Sequence, residues 1–582
     1  MSRTPERSAS KRPERTAFDR TAAQQRLRTE RFDVLVIGAG ITGAGVALDA
    51  AERGLRVALL DKADFASGTS SKSSKLVHGG LRYLQQREFL LVYEALAERQ
   101  RLLRNAPHLV SVLPFLIPLF GKDGMVNKTV AKTYSTALWL YDITGGLRIG
   151  KRHKKISRDE ARAHLPTVRM DRLVQGWLYY DARADDARLT LTIARTAAAE
   201  YGAVLANYTP VAGLLSTGDG RVVGVRLADG SEIRAGVVVN AAGVWAEEVE
   251  AMDQHSPVEQ RLQIRPAKGV HITVPGHLVQ ADIASVINVP GDKRSVFVVP
   301  WEDRVYVGTT DTDYDGPLDN PPCTEADVDY LLRALNSAIT TTVSKSDVLG
   351  VWAGLRPLIA TATTGRTADL SRRHTVRVAA SGLITVTGGK LTTYRKMAAD
   401  TVDAVVTAVG RGRRKSGTAS LPLLGARGTA DLVAPGAGAH WALSDQQMRH
   451  LVSRHGSATR FVLELIAESA ELARPLVPGL PYLSAEAVYA CRYEMATGLD
   501  DVVSRRTRAR LLDRGATNDA LSAIAELIAP EFGWDADEIA RQVATVRHDL
   551  DEEARAAAIG PAAASPVEPV LTTHTNAGGD AR

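Results

Sequence analysis

Several groups of residues in this 582-residue chain have types and spacings that carry chemistry. The first is Gly38-Ala39-Gly40-Ile41-Thr42-Gly43, with Asp61 placed 23 residues beyond Gly38. Two glycines permit a tight turn and the close approach of a pyrophosphate. The third lets a helix pack on a strand, and an acid at that distance can accept from a ribose hydroxyl. Glycines alone would suit a bare turn equally well. The second group is the run Ser67 to Tyr83 (SGTSSKSSKLVHGGLRY), dense in hydroxyls and glycines that can donate to phosphate or to a cofactor ring; by composition it also reads as a flexible loop. Arg356 lies in Leu355-Arg356-Pro357-Leu358, where a charge among apolar neighbours calls for a bound anion or a carboxylate partner. Lys390 follows Gly388-Gly389 and precedes a helical pattern, a phosphate- or flavin-facing position. His271, between Val270 and Ile272, suits a general base and equally suits a satisfied buried histidine.

The elements around these residues must position them. Phe32 to Ile37 reads as a buried strand, Ala44 to Glu52 as a helix closed by Gly54, and Leu55 to Leu60 as a second strand. The glycine motif therefore sits in the strand–turn–helix context a dinucleotide needs. Val204 to Tyr208, Val211 to Ser216 and Val222 to Leu227 read as an antiparallel meander, with Gly218-Asp219-Gly220 as a hairpin turn. Further strands are expected at Val237 to Val239, Val270 to Val274, Ser295 to Val299, Val305 to Val307, Thr375 to Val378 and Ile384 to Val386, and a helix from Leu391 to Val409. The long interruption of the first sheet, the second glycine cluster at Gly388-Gly389 and the lack of a further dinucleotide fingerprint favour a flavin over NAD.

The fold expected is α/β: a Rossmann-like FAD-binding domain with an interleaved antiparallel-sheet substrate domain over residues 31–410, then an all-helical C-terminal domain over 411–555, entered by a basic linker. Residues 1–30 read as a disordered tail and 556–582 as a low-complexity tail. The two cysteines, Cys323 and Cys491, exclude a disulfide framework and a cysteine-rich metal site, so no metal is expected. The net charge of +6 suits an anionic ligand or surface but is too small and too partly confined to the tail to argue for nucleic acid. The most apolar stretch, Leu109 to Phe120, is too short to span a membrane and holds Pro114 and Pro118. Arg148, Lys151, Arg152, Lys154 and Lys155 follow Trp139 and Tyr141, a pattern that suits a peripheral membrane contact or an exposed loop.

The strings GAGITGAG, SSKLVHGGLRYL, RPAKGVHITV, VVPWEDRVYVGTTD, WAGLRPL and GGKLTTYRKMA occur in that order between Phe32 and Ala398. Together they resemble aerobic FAD-dependent glycerol-3-phosphate dehydrogenase, within the D-amino-acid-oxidase-like flavoproteins. The resemblance implies oxidation of sn-glycerol 3-phosphate to dihydroxyacetone phosphate, with electrons passing through FAD to a membrane quinone. It implies Arg82, Tyr83, His271, Arg356, Arg372 and Lys390 at the substrate, with His271, Arg356 and Lys390 in catalysis. Around Arg372 the chain departs from the family pattern, and Arg366 or Arg373 can take that place. The cofactor set it implies is Gly38, Gly40, Gly43, Asp61, Thr69, Ser70, Ser74, Gly80, Gly243, Gly389, Lys390, Leu391 and Thr392. Neither cysteine falls in these strings, so the FAD is expected to be noncovalent. A base for the alcohol proton should titrate near neutrality, as histidine does. The location implied is cytoplasmic, peripheral on the inner face of the cell membrane, against its anionic surface, with a homodimer left open. Glycerophosphate oxidase, which uses oxygen, and an amine or amino-acid oxidase are the alternative readings.

Overall fold

The computed structural model describes residues 18–560 except 82, 84–87, 122–127, 146–148, 258, 260, 293, 360–372 and 411–413. Two sheets organise the molecule. In the first, Ile384–Thr387, Glu232–Asn240, Phe32–Ile37, Val57–Leu60 and Val204–Ala206 run parallel in that order, with Thr375–Val378 antiparallel at one edge. The runs Val34-Leu35-Val36 and Val237-Val238-Val239 are buried throughout, as strands covered on both faces must be. The helix Ile41–Glu52 opens directly from the first strand and is almost wholly buried.

Val204–Ala206 does not belong to the meander expected from sequence; it pairs in parallel with Val57–Leu60. The meander is instead Val211–Ser216, Val222–Leu227 and the start of Glu232–Asn240. Alternation in a three-residue apolar strand does not tell parallel from antiparallel pairing.

The second sheet is mostly antiparallel and runs Thr312–Asp313, Ile264–Pro275, Arg304–Gly308, Ser295–Trp301, Ala284–Asn288, Val110–Phe120, Leu173–Ala184 and Leu76–Val77. Gly350–Ile359 pairs with Ile264–Pro275 on its other side, placing Trp352 opposite His271 and Arg356 opposite Ala267. The apolar stretch with two prolines is thus a strand, Val110–Phe120, paired along its length with Leu173–Ala184. No helix among the described residues is long and apolar enough to cross a membrane.

The unstructured tail expected up to residue 30 is corrected from Asp19 onward. Asp19 caps the helix Arg20–Thr29 by accepting from the Ala22 amide at 2.8 Å. Phe18, Ala23 and Leu27 are buried, and the Phe18 ring lies 5.4 Å from that of Phe65. So few apolar residues in a charged segment leave little periodicity to read. At the other end, the helix Ala536–Ala557 and the buried Ile559 carry order past residue 556.

The C-terminal helices include Asp445–His455, Thr459–Glu468, Ser484–Tyr493 and Arg514–Phe532. They are pinned to the first domain by buried ion pairs. Arg506 forks onto Asp64 at 2.6 and 2.9 Å, Arg505 reaches the same carboxylate at 2.7 Å, and Arg188 pairs with Glu494. Charges this deeply buried are tolerable only because each is paired and hydrogen-bonded.

Candidate active site

The glycine turn has the geometry its sequence promised. Gly38 adopts φ +101°, and a Cβ there would lie 2.7 Å from the Ala241 carbonyl oxygen. A Cβ on Gly43 would lie 1.8 Å from the Gly38 carbonyl oxygen, so only glycine lets helix and strand approach this closely. Gly40 stands at the N-cap of the helix and brings no capping side chain. The Ser70 hydroxyl replaces one, accepting from the Ile41 amide at 2.9 Å. Asp61 accepts from the Ala39 amide at 2.6 Å and the Ala63 amide at 2.9 Å, which holds the acid against the turn. Burial pushes its carboxyl up to about 6 despite those donors. Gly243, at φ +61°, borders open space.

The loop from Ser67 to Gly80 leads from this turn to the second sheet, and it is anchored at nearly every residue. Thr69 donates to the Leu355 carbonyl at 2.5 Å, and the Trp352 indole donates to the Ser73 carbonyl at 3.2 Å. Tyr306 donates to the Ser74 carbonyl at 2.8 Å. The Thr392 hydroxyl accepts from the His78 amide and donates to its carbonyl, at 3.1 and 3.2 Å. The hydroxyls of Thr69 and Thr392, read from sequence as cofactor donors, are therefore engaged by backbone. Gly79 donates to the Tyr141 hydroxyl at 3.0 Å, and Tyr141 in turn donates to Asp181, which Arg99 meets at 2.5 Å. Tyr141 is thus buried, which corrects its reading as a surface aromatic beside the basic cluster.

His271 is the centre of the second sheet's contribution. It is buried, and its Nε2 lies 2.8 Å from the Ser74 hydroxyl. Its ring stacks on Trp352 with centroids 4.8 Å apart and planes 7° from parallel. Nδ1 has no hydrogen-bond partner among the described residues. The sequence expectation of a base near neutrality is corrected here. Burial, then the Lys75 ammonium, then the Arg356 guanidinium hold the imidazolium well below the usual histidine range. Lys75 itself is buried above Trp352, its ammonium 4.4 Å from the ring centroid, and is pushed down to about 8 by burial.

Arg356 has the carboxylate partner that its apolar setting demanded: Asp311 at 3.2 Å. It also donates to the Thr309 hydroxyl and the Thr310 carbonyl, each at 3.2 Å. Lys390 places its ammonium 3.6 Å from the centroid of the Tyr83 ring, and a Cβ on Gly80 would come within 3.7 Å of that nitrogen. Gly388 and Gly389 take φ +79° and +74°, and a Cβ on Gly389 would meet Met397 Sδ at 2.4 Å. Leu391 opens the short 3₁₀ turn that follows and packs on the core of the first domain. The fingerprint turn, the Ser67–Tyr83 loop, His271, Arg356 and the Lys390 turn are thus joined by direct contacts. Arg82, Arg366, Arg372 and Arg148 lie outside the described residues. Arg373 pairs with Glu88 at 3.3 Å.

Residues 33–395 match the family model described as FAD dependent oxidoreductase, and 416–539 match the C-terminal domain of alpha-glycerophosphate oxidase. Glycerol-3-phosphate dehydrogenase 2 of Mycobacterium tuberculosis is 43% identical over 92% of this chain and 90% of its own. The chain belongs to the FAD-dependent glycerol-3-phosphate dehydrogenase family. The mitochondrial glycerol-3-phosphate dehydrogenase of Mus musculus is 37% identical over 87% of this chain and 71% of its own. The crystal structure of the Bacillus halodurans glycerol-3-phosphate dehydrogenase complexed with FAD superposes with a TM-score of 0.75, at 31% identity, covering 92% of this chain and 98% of that one. In this dehydrogenase-family chain the glycine turn fits FAD: Cβ atoms at Gly38 and Gly43 would collide with the Ala241 and Gly38 carbonyl oxygens, so glycine alone permits the tight strand–turn–helix that presents helix-start amides to a pyrophosphate, and Ser70 stands at the helix start. The binding is noncovalent. Cys323 is buried, with its thiol pushed up by burial, and Cys491 lies in a C-terminal helix.

Sequence reasoning missed Lys75, Trp352, Asp186, Tyr141 and Asp181 as parts of this site. Lys75 and Trp352 lie inside the recognisable strings SSKL and WAGLRPL, so a signal existed. Asp186, which accepts from both the amide and the hydroxyl of Ser73 at 2.9 and 2.7 Å, opens an ordinary helix and carries none.

Proposed function

We propose that this protein oxidises sn-glycerol 3-phosphate to dihydroxyacetone phosphate and passes the electrons to a membrane quinone. The observation that carries the reading is that the Ser67–Tyr83 loop bonds to GAGITGAG through Ser70, to the buried His271 through Ser74 and to GGKLTTYR through His78, in a chain related to dehydrogenases of that name along nearly its whole length. FAD supplies the acceptor for the hydride of the carbinol carbon. Arg356 and Lys390 offer permanent or near-permanent cations to the phosphate dianion, with Arg82 and Arg372 as further candidates. The Lys390 ammonium also opposes negative charge on the alcohol oxygen as its proton leaves. His271 takes that proton. With Nε2–H donated to Ser74, the lone pair sits on Nδ1, the ring nitrogen left without a hydrogen bond among the described residues. Burial and the neighbouring cations keep this lone pair unprotonated, and they also make the ring a weaker base than a histidine titrating near neutrality.

The decisive experiment is the visible spectrum of the purified holoprotein under anaerobic conditions. Glycerol 3-phosphate should bleach the flavin bands and free glycerol should not; no bleaching by either rejects the substrate. His271→Ala should keep its flavin yet bleach about 10²–10⁴-fold more slowly.

A second reading follows from the C-terminal match, whose description names an oxidase. Oxygen consumption with stoichiometric peroxide, and no reduction of a quinone analogue, would select it. For the membrane contact, Leu90, Tyr93, Trp139 and Ile143 are exposed apolar residues on two neighbouring helices, Phe89–Asn105 and Lys128–Thr144. Lys151, Arg152 and Lys155 are exposed nearby, with the Arg152 guanidinium 4.1 Å from the Trp139 ring centroid. This pattern supports peripheral attachment to an anionic surface on the inner face. Replacing Leu90, Trp139 and Ile143 with serine should reduce co-sedimentation with anionic vesicles, and unchanged partitioning would place the contact elsewhere.

A further inference from the structure

The C-terminal helical domain reaches into the catalytic loop through one side chain. Arg508 follows the turn Asp501–Thr507 and adopts φ +106°, ψ 12°, a left-handed backbone that favours glycine. Its side chain is 1% exposed. One guanidinium nitrogen donates to the Ser71 carbonyl oxygen and, at 3.0 Å, to Asp186 Oδ1; the other terminal nitrogen donates to the Ser504 carbonyl at 2.9 Å. Nε faces Asp185 at 3.6 Å.

Asp186 is the junction. Its second oxygen accepts from the Ser73 amide and hydroxyl, and its first lies 3.4 Å from the Lys75 ammonium. The Ser73 hydroxyl in turn accepts from the Lys75 amide at 3.0 Å, closing a turn in which Lys75 takes φ +56°. Ser74 stands between these two fixed residues and presents its hydroxyl to His271 at 2.8 Å. Arg508 thus grips the loop on the N-terminal side of the turn, at Ser71, and through Asp186 grips it at Ser73 and Lys75. Arg508, Asp186 and Lys75 are all buried, while Ser73 and Ser74 are half-buried.

We propose that Arg508 is a positioning residue for His271: by clamping Ser71 and Asp186 it fixes the Ser73–Lys75 turn, so the C-terminal domain is required for proton transfer as well as for stability. The two terminal nitrogens of the guanidinium span from the Ser71 carbonyl and Asp186 on one side to the Ser504 carbonyl on the other, a reach that the single ammonium of lysine does not reproduce. A shift of the Ser74 hydroxyl by even 1 Å would lengthen its bond to Nε2 beyond hydrogen-bonding range and release the ring's tautomer. This rests on the reading of His271 as proton acceptor.

The test uses the full-length holoprotein. Arg508→Gly removes the guanidinium at a backbone position glycine adopts without strain; Arg508→Lys keeps a charge and serves if the glycine variant does not fold. Each should retain wild-type flavin content and a KM for glycerol 3-phosphate within about threefold, while kcat falls at least about tenfold. In a Ser74→Ala background, adding the Arg508 change should lower kcat less than about twofold, because both act on one element. A folded, flavin-loaded Arg508 variant with wild-type kcat overturns the proposal. So does a double variant in which the two losses multiply. An undiminished kcat in His271→Ala would instead reject the reading of the base, which separates the two failures.

Discussion

Replacing Gly43 with alanine adds a single methyl group, and its cost can be worked from the turn. The new Cβ would start 1.8 Å from the Gly38 carbonyl oxygen and 3.5 Å from the Ala241 Cβ. Reaching even a severe contact of 3.0 Å requires the helix and the turn to part by roughly 1.2 Å. The Gly38 side cannot yield easily: its amide donates to the Leu60 carbonyl at 2.7 Å, and the Ala241 amide donates to the Ile37 carbonyl at 2.9 Å. The helix start must therefore move, and overpacking of this kind costs about 1–3 kcal/mol of stability. The larger effect falls on the cofactor. Amides at the helix start that would meet the pyrophosphate are displaced together with the Ser70 bond to Ile41. Losing two charge-assisted hydrogen bonds at about 1.5–3 kcal/mol each weakens FAD by roughly 10²–10⁴-fold. The assay is flavin content after gel filtration, followed by FAD titration of the apoprotein and thermal unfolding with and without added FAD. At a thousandfold excess over Kd, FAD stabilises the parent by about 4 kcal/mol, and at the same FAD concentration the variant should gain only about 0.1–1.4 kcal/mol. Gly213→Ala is the control, because a Cβ there meets nothing within 4 Å. A Gly43→Ala protein that keeps stoichiometric flavin with parental affinity would refute the placement of the pyrophosphate.

Other perturbations test other parts of the site. Arg356→Ala should lose about 10–100-fold in kcat/KM for glycerol 3-phosphate and almost nothing for free glycerol; equal fractional losses on both substrates would leave Arg356 a structural partner of Asp311. Asp61 is pushed up to about 6, above its unfolded value of 3.8, so the apoprotein takes up its proton as pH falls through 6. A ribose hydroxyl needs the carboxylate as acceptor, so Kd for FAD should rise up to about tenfold per pH unit below 6. Asp61→Asn should flatten that dependence, and an equally steep profile in Asp61→Asn would point to another group. Burial pushes the Asp64 carboxyl up, but Arg506 and then Arg505 outweigh it and hold the group down to about 2, below its unfolded 3.8. Its stabilising contribution is present above pH 4 and is lost as pH falls from about 4 to 2. Asp64→Ala should destabilise by about 3–5 kcal/mol and remove that acid-linked step; urea midpoints measured from pH 6 to 3 decide it.

How much of this was legible in the residues follows from the range of the interactions involved. The first strand, the glycine turn and Asp61 were readable because their constraint is local. Gly38 needs its φ, Gly43 needs its missing Cβ, and both lie within six residues of the strand that requires them. The charge of Arg356 among leucines announced a partner, but only folding brought Asp311 to it from 45 residues away. The same holds for His271. Its type and strand suggested a base, while its neutrality comes from burial against Trp352 and from Lys75, 196 positions earlier in the chain. The helix Arg20–Thr29 was unreadable because it is stabilised by docking Phe18 and Leu27 and by Arg20 bonds to Asn207 and Tyr208 carbonyls, not by its own periodicity. Arg508 is the extreme case. In the string SRRTRAR it looks like one more solvated arginine, and only the packing of the C-terminal helices buries it against Ser71, 437 residues away. Sequence encodes what a residue can do within a few neighbours, through dihedral preference, volume and charge. Which charge is desolvated, and which carbonyl or carboxylate then must answer it, is decided by long-range packing, because desolvation belongs to the assembled interior and not to any segment of the chain.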